Sequence, residues 1–600
     1  MTYLNDKKHK LQMHKSMTIK VGGALLLKIR KKLIHLSLLS LSLAFSVPSV
    51  YALSATDIYQ HLNEIYPSYS GITYTKPTNN YLSSQWLIQT PNIWGKNMST
   101  YNLGFNPSSG NSVDPEFYMP TCKTSDDCNG YSVCSAPNYT TDIKGNKKSL
   151  CTVPADTILS SIYRVITSAN KSVDILTLQP MDVLLSSFSR EAFTATITNA
   201  LISLAKKTIQ TGDSIQVRFM QGSLTPITSK KTHHNATEES QRLYALKLSQ
   251  HIYLWNLVSA LPKGNHLNIS VASMRSCEKG FMPCGNNDKQ KDIILNFAFN
   301  HGKIMTVDNK TLMVGGHNLW GQDYLQKNPV NDLSIKISGP IAIGATKYAN
   351  TMWDYTCKNH GFLSNLFYSY KNGKYSTTCL PDISTEQKLT SQKSGDIQVS
   401  AMSVSKLNNG VLGDDADQSE IARVYAFNSA TKSIKISQQG LFQVGIGDFI
   451  RKPILHSVMT KDGTVMQALV NAIARGVSVD IVTSTVGGFT YTSYVYLKYI
   501  RHYVNDLLTS KHIMNPKQVV DTLNKNLHLG NISYNGKPNN VKSHDKLWIV
   551  DDHIFYIGSH NIYPSSLQQF GVIIDSKAAT KLLEEKVWKP LWKNRVKYAR

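Results

Sequence analysis

The chain has 600 residues, of which 41% are hydrophobic and 17% are charged, a globular composition that excludes a fold set by low-complexity sequence. This length exceeds that of one ordinary hydrophobic core, so we expect two or more packed units. The formal net charge of +24 favours anionic partners such as phospholipid headgroups or nucleic acid, although a basic surface can also serve solubility alone.

The N-terminus has the features of an export signal. Residues 1–32 contain nine Lys or Arg and one Asp, a net charge of +8, and the apolar run Leu33–Val47 follows them. This run is shorter than the ~20 residues of a membrane-spanning helix, and small residues precede a cleavage point after Ala52. We predict a signal peptide over 1–52 and a secreted protein, extracellular or periplasmic. An uncleaved anchor and a translation start at Met17 are the alternatives.

The eight cysteines all follow the predicted cleavage point and form local clusters, which favours disulfide bonds in an exported chain. We predict two bridges within 122–151, one between Cys277 and Cys284, and one between Cys357 and Cys379. A zinc site within 122–151 is the alternative, but that segment has no CxxC pair and no nearby His.

The main signal of organisation is an internal duplication. Each copy has a predicted helix followed by two β-branched strands: Asp156–Ala169, Ser172–Leu178 and Ser214–Phe219 in the first, and Gln418–Ala430, Ser433–Ser437 and Val477–Val482 in the second. Helices that alternate with short apolar strands indicate α/β layers. We therefore predict an α/β fold with two similar lobes that face one another.

The duplication divides the chain into five predicted segments. These are the signal peptide at 1–52, an N-terminal extension with the cysteine-rich insert at 53–150, the first lobe at 151–380, a polar linker at 381–414 and the second lobe at 415–600.

Two stretches of the second lobe have their own predictions. The polar stretch Lys511–Lys542 is predicted to be a long loop at the active-site face. The aromatic stretch Phe489–Tyr496 alternates like a half-buried strand, and a membrane contact is its alternative interpretation.

Each copy contains the same polar motif with the same intervals. The first motif comprises His301, Lys303, Asp308 and the turn Gly315-Gly-His-Asn318, and the second comprises His544, Lys546, Asp551 and the turn Gly558-Ser-His-Asn561. A single HxK pair arises by chance in many proteins, whereas two matched sets are very unlikely to do so. Alternate residues of an extended segment point the same way, so each lobe is expected to present His, Lys and Asn at one rim.

These residues suit phosphoryl transfer. One imidazole would attack phosphorus to form a phosphohistidine, and the other, protonated, would give its proton to the leaving alcohol. Lys303, Lys546, Asn318 and Asn561 would hold the non-bridging oxygens. The lysines supply positive charge and no carboxylate cluster has hard-cation spacing, so we predict no required metal and no other cofactor.

The other motif residues have less direct roles. We expect Asp308 and Asp551 to be structural partners rather than catalysts. His317 and His560 lie inside the Gly-x-Asn turns, where they either line the pocket or face solvent.

The paired HxKxxxxD motifs with their trailing Gly-Gly/Ser-x-Asn resemble the phospholipase D superfamily. Further segments resemble its secreted bacterial phospholipases D: Trp86–Pro91, Asn300–Asn359, Ser437–Gln439 and Tyr556–Pro564. The resemblance covers most of 53–600, with 96–150 as the clearest departure. It implies two α/β/α lobes with mixed β-sheets, related by a pseudo-twofold, and an active site between them.

The resemblance also implies a reaction. Members of the group hydrolyse phosphatidylcholine-like lipids to phosphatidic acid, transfer the phosphatidyl group to added alcohols as a side reaction, and typically act without a metal cofactor. By motif matching, His301 would be the nucleophile and His544 the general acid, although the similarity of the two motifs leaves this order open.

One position departs from the family pattern, which places a carboxylate behind each catalytic histidine. Asp332 matches that position in the first lobe, whereas the second lobe has Gln569. A neutral amide stabilises imidazolium less than a carboxylate does, so we expect the pKa of His544 to be lower than in relatives.

Other functions remain alternatives at this point. A nuclease of the same superfamily would also explain the basic charge, but such enzymes are often short chains with one motif that dimerise. A cardiolipin-type synthase and a lipid-binding protein without activity are two further alternatives. We favour a monomeric phospholipase D that meets its phospholipid substrate at a membrane surface and binds no nucleic acid.

Overall fold

A computed structural model of the chain describes residues 52–90, 94, 121–123, 127, 133–134, 140–141, 147–152, 157–178, 192–222, 254–276, 298–324, 330–359, 365–371, 373–386, 395–408, 410–440, 464–484, 493–537, 541–563, 565 and 567–597. Residues 1–51 of the predicted signal peptide and the predicted Cys277–Cys284 bridge lie outside these residues, so both stay predictions.

The N-terminal part of the described chain forms one helix and two strands. Helix α1 (Ala55–Ile65) begins at a capping box, in which the Ser54 hydroxyl accepts a hydrogen bond from the Asp57 N–H and the Asp57 carboxylate accepts one from the Ser54 N–H. Strands β1 (Thr78–Leu82) and β2 (Leu87–Thr90) follow.

The cysteine-rich insert contributes four short strands: β3 (Thr121–Cys122), β4 (Val133–Cys134), β5 (Thr140–Thr141) and β6 (Lys147–Thr152). Strand β6 pairs antiparallel with the other three, and Cys134 is the backbone register partner of Cys151. The side chains of these strands are outside the described part, so the two bridges within 122–151 stay a prediction.

The first half of the main sheet, with its helices, extends from residue 157 to residue 376. Its elements are α2 (Thr157–Thr167), β7 (Ser172–Leu178), α3 (Ala192–Thr211), β8 (Ile215–Gly222), β9 (Leu267–Met274), β10 (Ile304–Val307), β11 (Thr311–Gly315), α4 (Gly321–Tyr324), β12 (Asp332–Ser338), α5 (Ile341–Lys358), β13 (Leu366–Lys371) and β14 (Lys374–Ser376).

Helices cover both faces of this half-sheet. Ile175 of β7 packs in one core cluster with α2 and α3, whereas Leu176, the next residue, packs in another cluster with α5. Successive side chains of a strand point to opposite faces, so a strand between two helix layers is apolar at consecutive positions. All seven positions of β7 are buried, as this arrangement requires.

The predicted disulfide between Cys357 and Cys379 is present and joins the end of α5 to the segment that follows β14. This bridge confirms one of the four predicted pairings.

The predicted linker at 381–414 contains a ten-residue strand, β15 (Ile397–Lys406), which corrects its interpretation as a polar connection. Val399, Ala401, Met402 and Val404 are buried, and the polar residues Ser400, Ser403 and Ser405 lie among them. Ser and Ala carry little hydrophobic signal, so the composition of this segment concealed a strand whose small side chains fit a crowded interior.

The second half extends from residue 418 to residue 597. Its elements are α6 (Gln418–Ser429), β16 (Ser433–Gln438), α7 (Val465–Ala474), β17 (Ser478–Thr483), α8 (Ser493–Ser510), α9 (Pro516–Asn526), β18 (Leu527–Asn531), β19 (Lys546–Val550), β20 (Ile554–Gly558), β21 (Gln569–Asp575), α10 (Lys577–Leu583), a π-helical turn (Glu584–Trp588), α11 (Lys589–Asn594) and β22 (Val596–Lys597).

Two predictions for this half are wrong. The predicted loop at Lys511–Lys542 contains α9 and β18, and the Asn515 side chain caps α9 by accepting the Gln518 N–H at 2.9 Å. The predicted strand at Phe489–Tyr496 is a helix from Ser493 onward, while 489–492 lie outside the described residues. The helical spacing is clear only further along α8, where buried apolar residues recur three and four positions apart: Tyr503, Val504, Leu507 and Leu508.

Both halves have the same strand order. Strands β9, β8 and β7 are parallel, and β10, β11 and β12 continue the sheet in antiparallel order. Strands β18, β17 and β16 are likewise parallel, and β19, β20 and β21 continue in antiparallel order. The repeated mixed topology confirms the predicted α/β fold, while the pseudo-twofold relation and the lobe boundaries stay predictions.

Within the described residues, strands of both halves belong to one 18-stranded sheet, and one of the core clusters contains residues of both halves. Strand β15 pairs antiparallel with β21 and with β1, and β1 also meets β12 through Tyr81 and Ser338. Strand β2 pairs with β12, so residues of the predicted N-terminal extension belong to the main sheet. Trp86 also packs against Phe555 of β20, with ring centroids 6.1 Å apart. Within the described ranges, no helix is both long and apolar enough to cross a membrane.

Candidate active site

The two motif histidines lie side by side where the two halves meet. His301 lies three residues before β10 and His544 two residues before β19, so both occupy the same edge of equivalent strands. Their imidazole rings have centroids 6.3 Å apart and planes inclined at 68°. The sequence motifs are thus brought together across more than 240 positions of chain.

Two short parallel bridges between the halves position these histidines. The His544 N–H donates to the Asn331 carbonyl at 2.7 Å, next to the bridge between Asn331 and Ser543. The His301 N–H donates to the Gln568 carbonyl at 2.8 Å, next to the bridge between Asn300 and Gln568. Each histidine is therefore held beside the segment that leads into a strand of the other half.

Because of these bridges, each histidine contacts the side-chain partner that the family resemblance placed behind the other histidine. Nδ1 of His301 lies 2.8 Å from Oε1 of Gln569, and Nδ1 of His544 lies 2.8 Å from Oδ2 of Asp332. The expected pairing of each histidine with a partner from its own lobe is wrong, because the segments before β12 and β21 each cross to the other half. Because Gln569 contacts His301, the expectation that it lowers the pKa of His544 is wrong as well.

Asp332 occupies a fully bonded, buried position behind His544. Its Oδ2 also accepts the Tyr324 hydroxyl at 2.8 Å, and its Oδ1 accepts the Leu333 N–H at 2.8 Å. Gly316 closes this pocket: a Cβ there would lie 2.0 Å from Oδ1 of Asp332, so only glycine fits. The Gly316 carbonyl also lies 3.0 Å from Nδ1 of His544.

Gln569 occupies the matching position behind His301. Its Oε1 also accepts the Ser559 hydroxyl at 3.0 Å, and Ser559 in turn accepts the Phe570 N–H at 3.0 Å. Ser559 stands in the second motif where Gly316 stands in the first. Gly316 therefore leaves room for Asp332, whereas Ser559 donates a hydrogen bond to Gln569.

The motif lysines are buried and point back along the chain. The ammonium of Lys303 donates to the His301 carbonyl at 2.8 Å, and that of Lys546 donates to the His544 carbonyl at 2.5 Å. Burial lowers the pKa of Lys303 well below its usual range, and the charge of Lys546 lowers it further. Burial lowers the pKa of Lys546 to about 8, against the opposing effect of Asp332. Both side chains are thus less readily protonated than an exposed lysine.

The pKa of each of the two facing histidines, His301 and His544, is also displaced downward. Burial lowers the pKa of both rings well below 6.5, and the charges of Lys303 and Lys546 lower it further. The hydrogen bond from Gln569 opposes this shift at His301, and the Gly316 carbonyl opposes it at His544. Since each Nδ1 faces an acceptor oxygen, each ring keeps its proton there and turns Nε2 towards the site.

Asn318 and Asn561, the predicted phosphate-holding residues, follow β11 and β20 and are buried. The Asn318 N–H donates to the Tyr324 hydroxyl at 3.0 Å, and Nδ2 of Asn561 donates to the Tyr563 hydroxyl at 2.8 Å. Within the described part of the chain, the Oδ1 atoms of both side chains have no hydrogen-bond partner. Their role towards phosphate stays a prediction.

The motif aspartates hold turns at the opposite end of these strands. Asp308 accepts hydrogen bonds from three consecutive backbone N–H groups, those of Asn170, Lys171 and Ser172, each at 2.8 Å. Asp551 accepts from the equivalent groups of residues 431–433 at 2.7–2.9 Å. Both carboxylates thereby tie the turn between two motif strands to the start of a parallel strand.

The motif histidines inside the glycine turns are buried structural residues, so their predicted solvent-facing alternative is wrong. Nδ1 of His317 lies 2.7 Å from the Ser334 hydroxyl and Nε2 lies 3.1 Å from the Thr90 hydroxyl. Burial lowers the pKa of His317 to about 4, which keeps the ring neutral. Nδ1 of His560 lies 2.8 Å from the Ser419 hydroxyl.

Asp545 is a residue of the site that sequence reasoning missed. It is fully buried, and its Oδ2 accepts the Ser437 hydroxyl and the Asn331 amide, each at 2.6 Å, which links the two halves next to His544. Burial raises its pKa to about 7. Gly302 holds the equivalent place in the first motif, so the duplication gave no signal for this carboxylate.

Across the residues that the structure describes, no group of three or more His, Cys, Asp or Glu side chains is arranged to hold a metal ion. That the reaction requires no metal therefore stays a prediction.

Comparison with known proteins agrees with this geometry. The family model described as cardiolipin synthase, PLD-like domain, matches residues 426–592. A phospholipase D of Streptomyces antibioticus is 27% identical over 487 residues, which cover 73% of this chain and 76% of that protein. The chain is therefore similar to the phospholipase D superfamily. The predicted superfamily and the predicted class of enzyme, a phosphodiesterase, are confirmed.

Two solved structures are also similar to this chain. Phosphatidylserine synthase of Haemophilus influenzae Rd KW20 matches with a TM-score of 0.41 and 12% identity, over 73% of this chain and 84% of that one. The phospholipase D family member Nuc of Salmonella typhimurium matches with a TM-score of 0.20 and 21% identity, over 30% of this chain and 90% of that one. Similarities at these TM-scores bear neither on the fold nor on the substrate.

Proposed function

We propose that this chain is an exported phospholipase D that hydrolyses phosphatidylcholine-like phospholipids to phosphatidic acid, with transfer of the phosphatidyl group to alcohols as a second reaction. The observation that carries the proposal is the pair of facing imidazoles, 6.3 Å apart, each with an acceptor behind Nδ1 and a buried lysine two residues away. A centroid separation of 6.3 Å leaves room for one phosphodiester phosphorus between the two rings.

The acceptors behind the rings support different roles for the two histidines. A nucleophile must begin neutral, whereas a general acid must begin protonated. The Asp332 carboxylate stabilises a protonated His544 more than the Gln569 amide stabilises a protonated His301, because only the carboxylate carries a charge. His301 is therefore the nucleophile and His544 the general acid in this proposal.

The reaction then proceeds in two displacements. The Nε2 lone pair of His301 attacks phosphorus while the bond to the headgroup oxygen breaks, and that oxygen takes the proton from Nε2 of His544. Water next attacks phosphorus and passes its proton to Nε2 of His544, while the P–N electron pair returns to His301. An alcohol in place of water gives the transfer product.

The buried lysines make protonation of His544 dependent on substrate. With the site empty, the charges of Lys303 and Lys546 hold the pKa of both histidines down. A phosphate anion between them offsets that charge, which favours the proton on His544 at the moment when the reaction needs it. The same two ammonium groups stabilise the charge that develops on the non-bridging oxygens.

An apolar cluster beside the site favours a lipid over a nucleic acid. Leu178, Phe299 and Leu567 form a small buried core next to the bridge that holds His301, and Trp320 packs against it while remaining half-buried. An acyl chain offers apolar surface for such a cluster, whereas the backbone of nucleic acid offers charge and sugar. The basic composition would draw the protein to anionic lipid surfaces.

Product analysis tests the proposal. The purified protein without residues 1–52 is incubated, with chelator, on mixed phospholipid vesicles that contain a little ethanol, beside the variants His301→Ala and His544→Ala. His502→Ala is the matched control, since His502 is exposed on α8 and pairs there with Asp506. We expect phosphatidic acid and phosphatidylethanol from wild type and control, and neither product from the two catalytic variants. Degradation of DNA or RNA without any lipid product would instead identify a nuclease.

A further inference from the structure

The two catalytic histidines have partners that match in geometry and differ in charge. Nδ1 of each ring is 2.8 Å from an oxygen of the residue behind it. For His544 that oxygen belongs to the Asp332 carboxylate, and for His301 it belongs to the Gln569 amide. Because the distance is the same, charge is the property that distinguishes the two positions.

The amide position is built for Gln569. The side chain is fully buried, and its Oε1 receives both His301 and the Ser559 hydroxyl, while its Nε2 lies 3.5 Å from the Ser565 hydroxyl. At the equivalent place behind His544, the Gly316 position has no room for the Cβ that Ser559 carries. Gly316 therefore suits Asp332 as its neighbour, and Ser559 suits Gln569.

The charge difference acts on the covalent intermediate. When Nε2 of His301 bonds to phosphorus while Nδ1 keeps its proton, the ring carries a positive charge. The hydrogen-bond partner of this ring within the described ranges is the neutral amide, and the nearest cations, Lys303 and Lys546, disfavour positive charge on the ring. The intermediate thus lacks the counter-charge that Asp332 supplies to His544.

We propose that Gln569 is a positioning residue that keeps the phosphohistidine on His301 short-lived, so that formation of the P–N bond, rather than its cleavage, limits turnover. This inference rests on the proposed function of the same two histidines. A neutral acceptor fixes the reactive tautomer of His301 but leaves the cationic intermediate high in free energy. Formation is then slow, and departure of the imidazole from phosphorus is fast.

Rapid-quench kinetics with Gln569→Glu tests this assignment on both phosphatidylcholine vesicles and a soluble chromogenic phosphodiester. The wild-type enzyme should release the first alcohol without a burst and show little phosphorylated protein by mass. The glutamate variant should show a burst and about tenfold more adduct on His301, as expected from a charge-assisted in place of a neutral hydrogen bond. Its acidic limb of kcat/KM should also move to higher pH, because the carboxylate raises the pKa of His301.

Three further measurements separate this role from others. Gln569→Leu should lose activity without accumulating adduct, because it removes the acceptor that fixes the tautomer. Asp332→Asn should also give no adduct, since it leaves His301 unchanged. A wild-type burst that matches the enzyme concentration, or a glutamate variant with neither adduct nor a shifted pH profile, would overturn the inference. Turnover of the chromogenic diester without lipid cleavage would overturn only the proposed substrate.

Discussion

Oδ2 of Asp332 lies 2.8 Å from Nδ1 of His544, although the two residues are 212 positions apart in the chain. Asp332 also accepts hydrogen bonds from Tyr324 and Leu333, so it is held rigidly whether or not substrate is present. The general acid in our proposal therefore has a fixed orientation and an adjacent negative charge.

Replacing this carboxylate by an amide should disable the acid. In Asp332→Asn, an amide N–H can face Nδ1 of His544 and reverse its tautomer, and the protonated ring loses its counter-charge. By analogy with other imidazole–carboxylate pairs we expect kcat to fall by about 10³-fold. Steady-state kinetics measure this effect, and thermal unfolding checks that the fold is retained. A variant that keeps more than a tenth of wild-type kcat would contradict the proposed role.

The lowered pKa of Lys546 predicts the alkaline limit of activity. Its pKa is about 8 in the folded protein, below the usual 10.5, so the ammonium loses its charge as pH rises through that value. A profile of kcat/KM against pH reports groups of the free enzyme, so deprotonation of Lys546 should add a fall with an apparent pKa near 8 to the losses that His544 and Lys303 cause at lower pH. Lys546→Arg keeps its charge throughout this range and should remove that limb, even at a lower maximal rate. An unchanged limb in the arginine variant would assign it to another group.

Asp308 and Asp551, which hold the turns, should affect the stability of the fold rather than the rate of the reaction. Asp308→Asn removes the charge from three backbone hydrogen bonds, and asparagine tolerates the left-handed conformation of this residue (φ 52°), so strain does not confuse the result. We expect a loss of roughly 2 kcal/mol in the free energy of unfolding. Asp551→Asn should lower the free energy of unfolding by less, because the hydrogen bonds of the Asp551 carboxylate are more exposed to solvent.

The kinetic comparison for this pair is kcat per folded molecule. Both variants should keep wild-type kcat at a temperature well below their unfolding transitions, because Asp308 and Asp551 lie at the far end of the motif strands. A selective loss of kcat in folded protein would show that one of them acts in the reaction.

Trp320 should matter only for substrates with acyl chains. It packs against the apolar cluster beside His301, so Trp320→Ala should raise the KM for long-chain phospholipid by about tenfold through lost apolar contact. Turnover of a soluble chromogenic phosphodiester should change little. Trp255→Ala is a suitable control, since Trp255 is more exposed than Trp320 and lies in a different segment. Equal losses on both substrates would indicate a general disturbance of the site.

The duplicated motif was a strong guide to secondary structure. The matched motifs predicted an extended segment after His301 and after His544, and the structure has β10 and β19 there. The strand at 397–406 was missed, since its Ser and Ala residues carry little hydrophobic signal, and its place depends on neighbours in both halves.

The pairing of Asp332 and Gln569 with the histidines was beyond a reading of one sequence. Asp332 and Gln569 are the first residues of β12 and β21, so the duplication correctly marked them as partners. Which histidine each would meet depends on two parallel bridges between the halves, and hydrogen bonds between distant segments leave no periodic pattern in the chain. Asp545 was concealed for a related reason, since its contacts with Ser437 and Asn331 arise only when the halves meet.

The exchange of partners between the halves makes catalysis a property of the finished chain. A polypeptide still on the ribosome contains His301 long before Gln568 and Gln569 have been synthesised, so its histidine has neither the backbone carbonyl nor the amide that orient it. A protease cut that releases either half would remove an orienting group from both rings at once. In our proposal the growing chain therefore cleaves no lipid until both halves are synthesised, and a cut chain loses the activity once its halves separate.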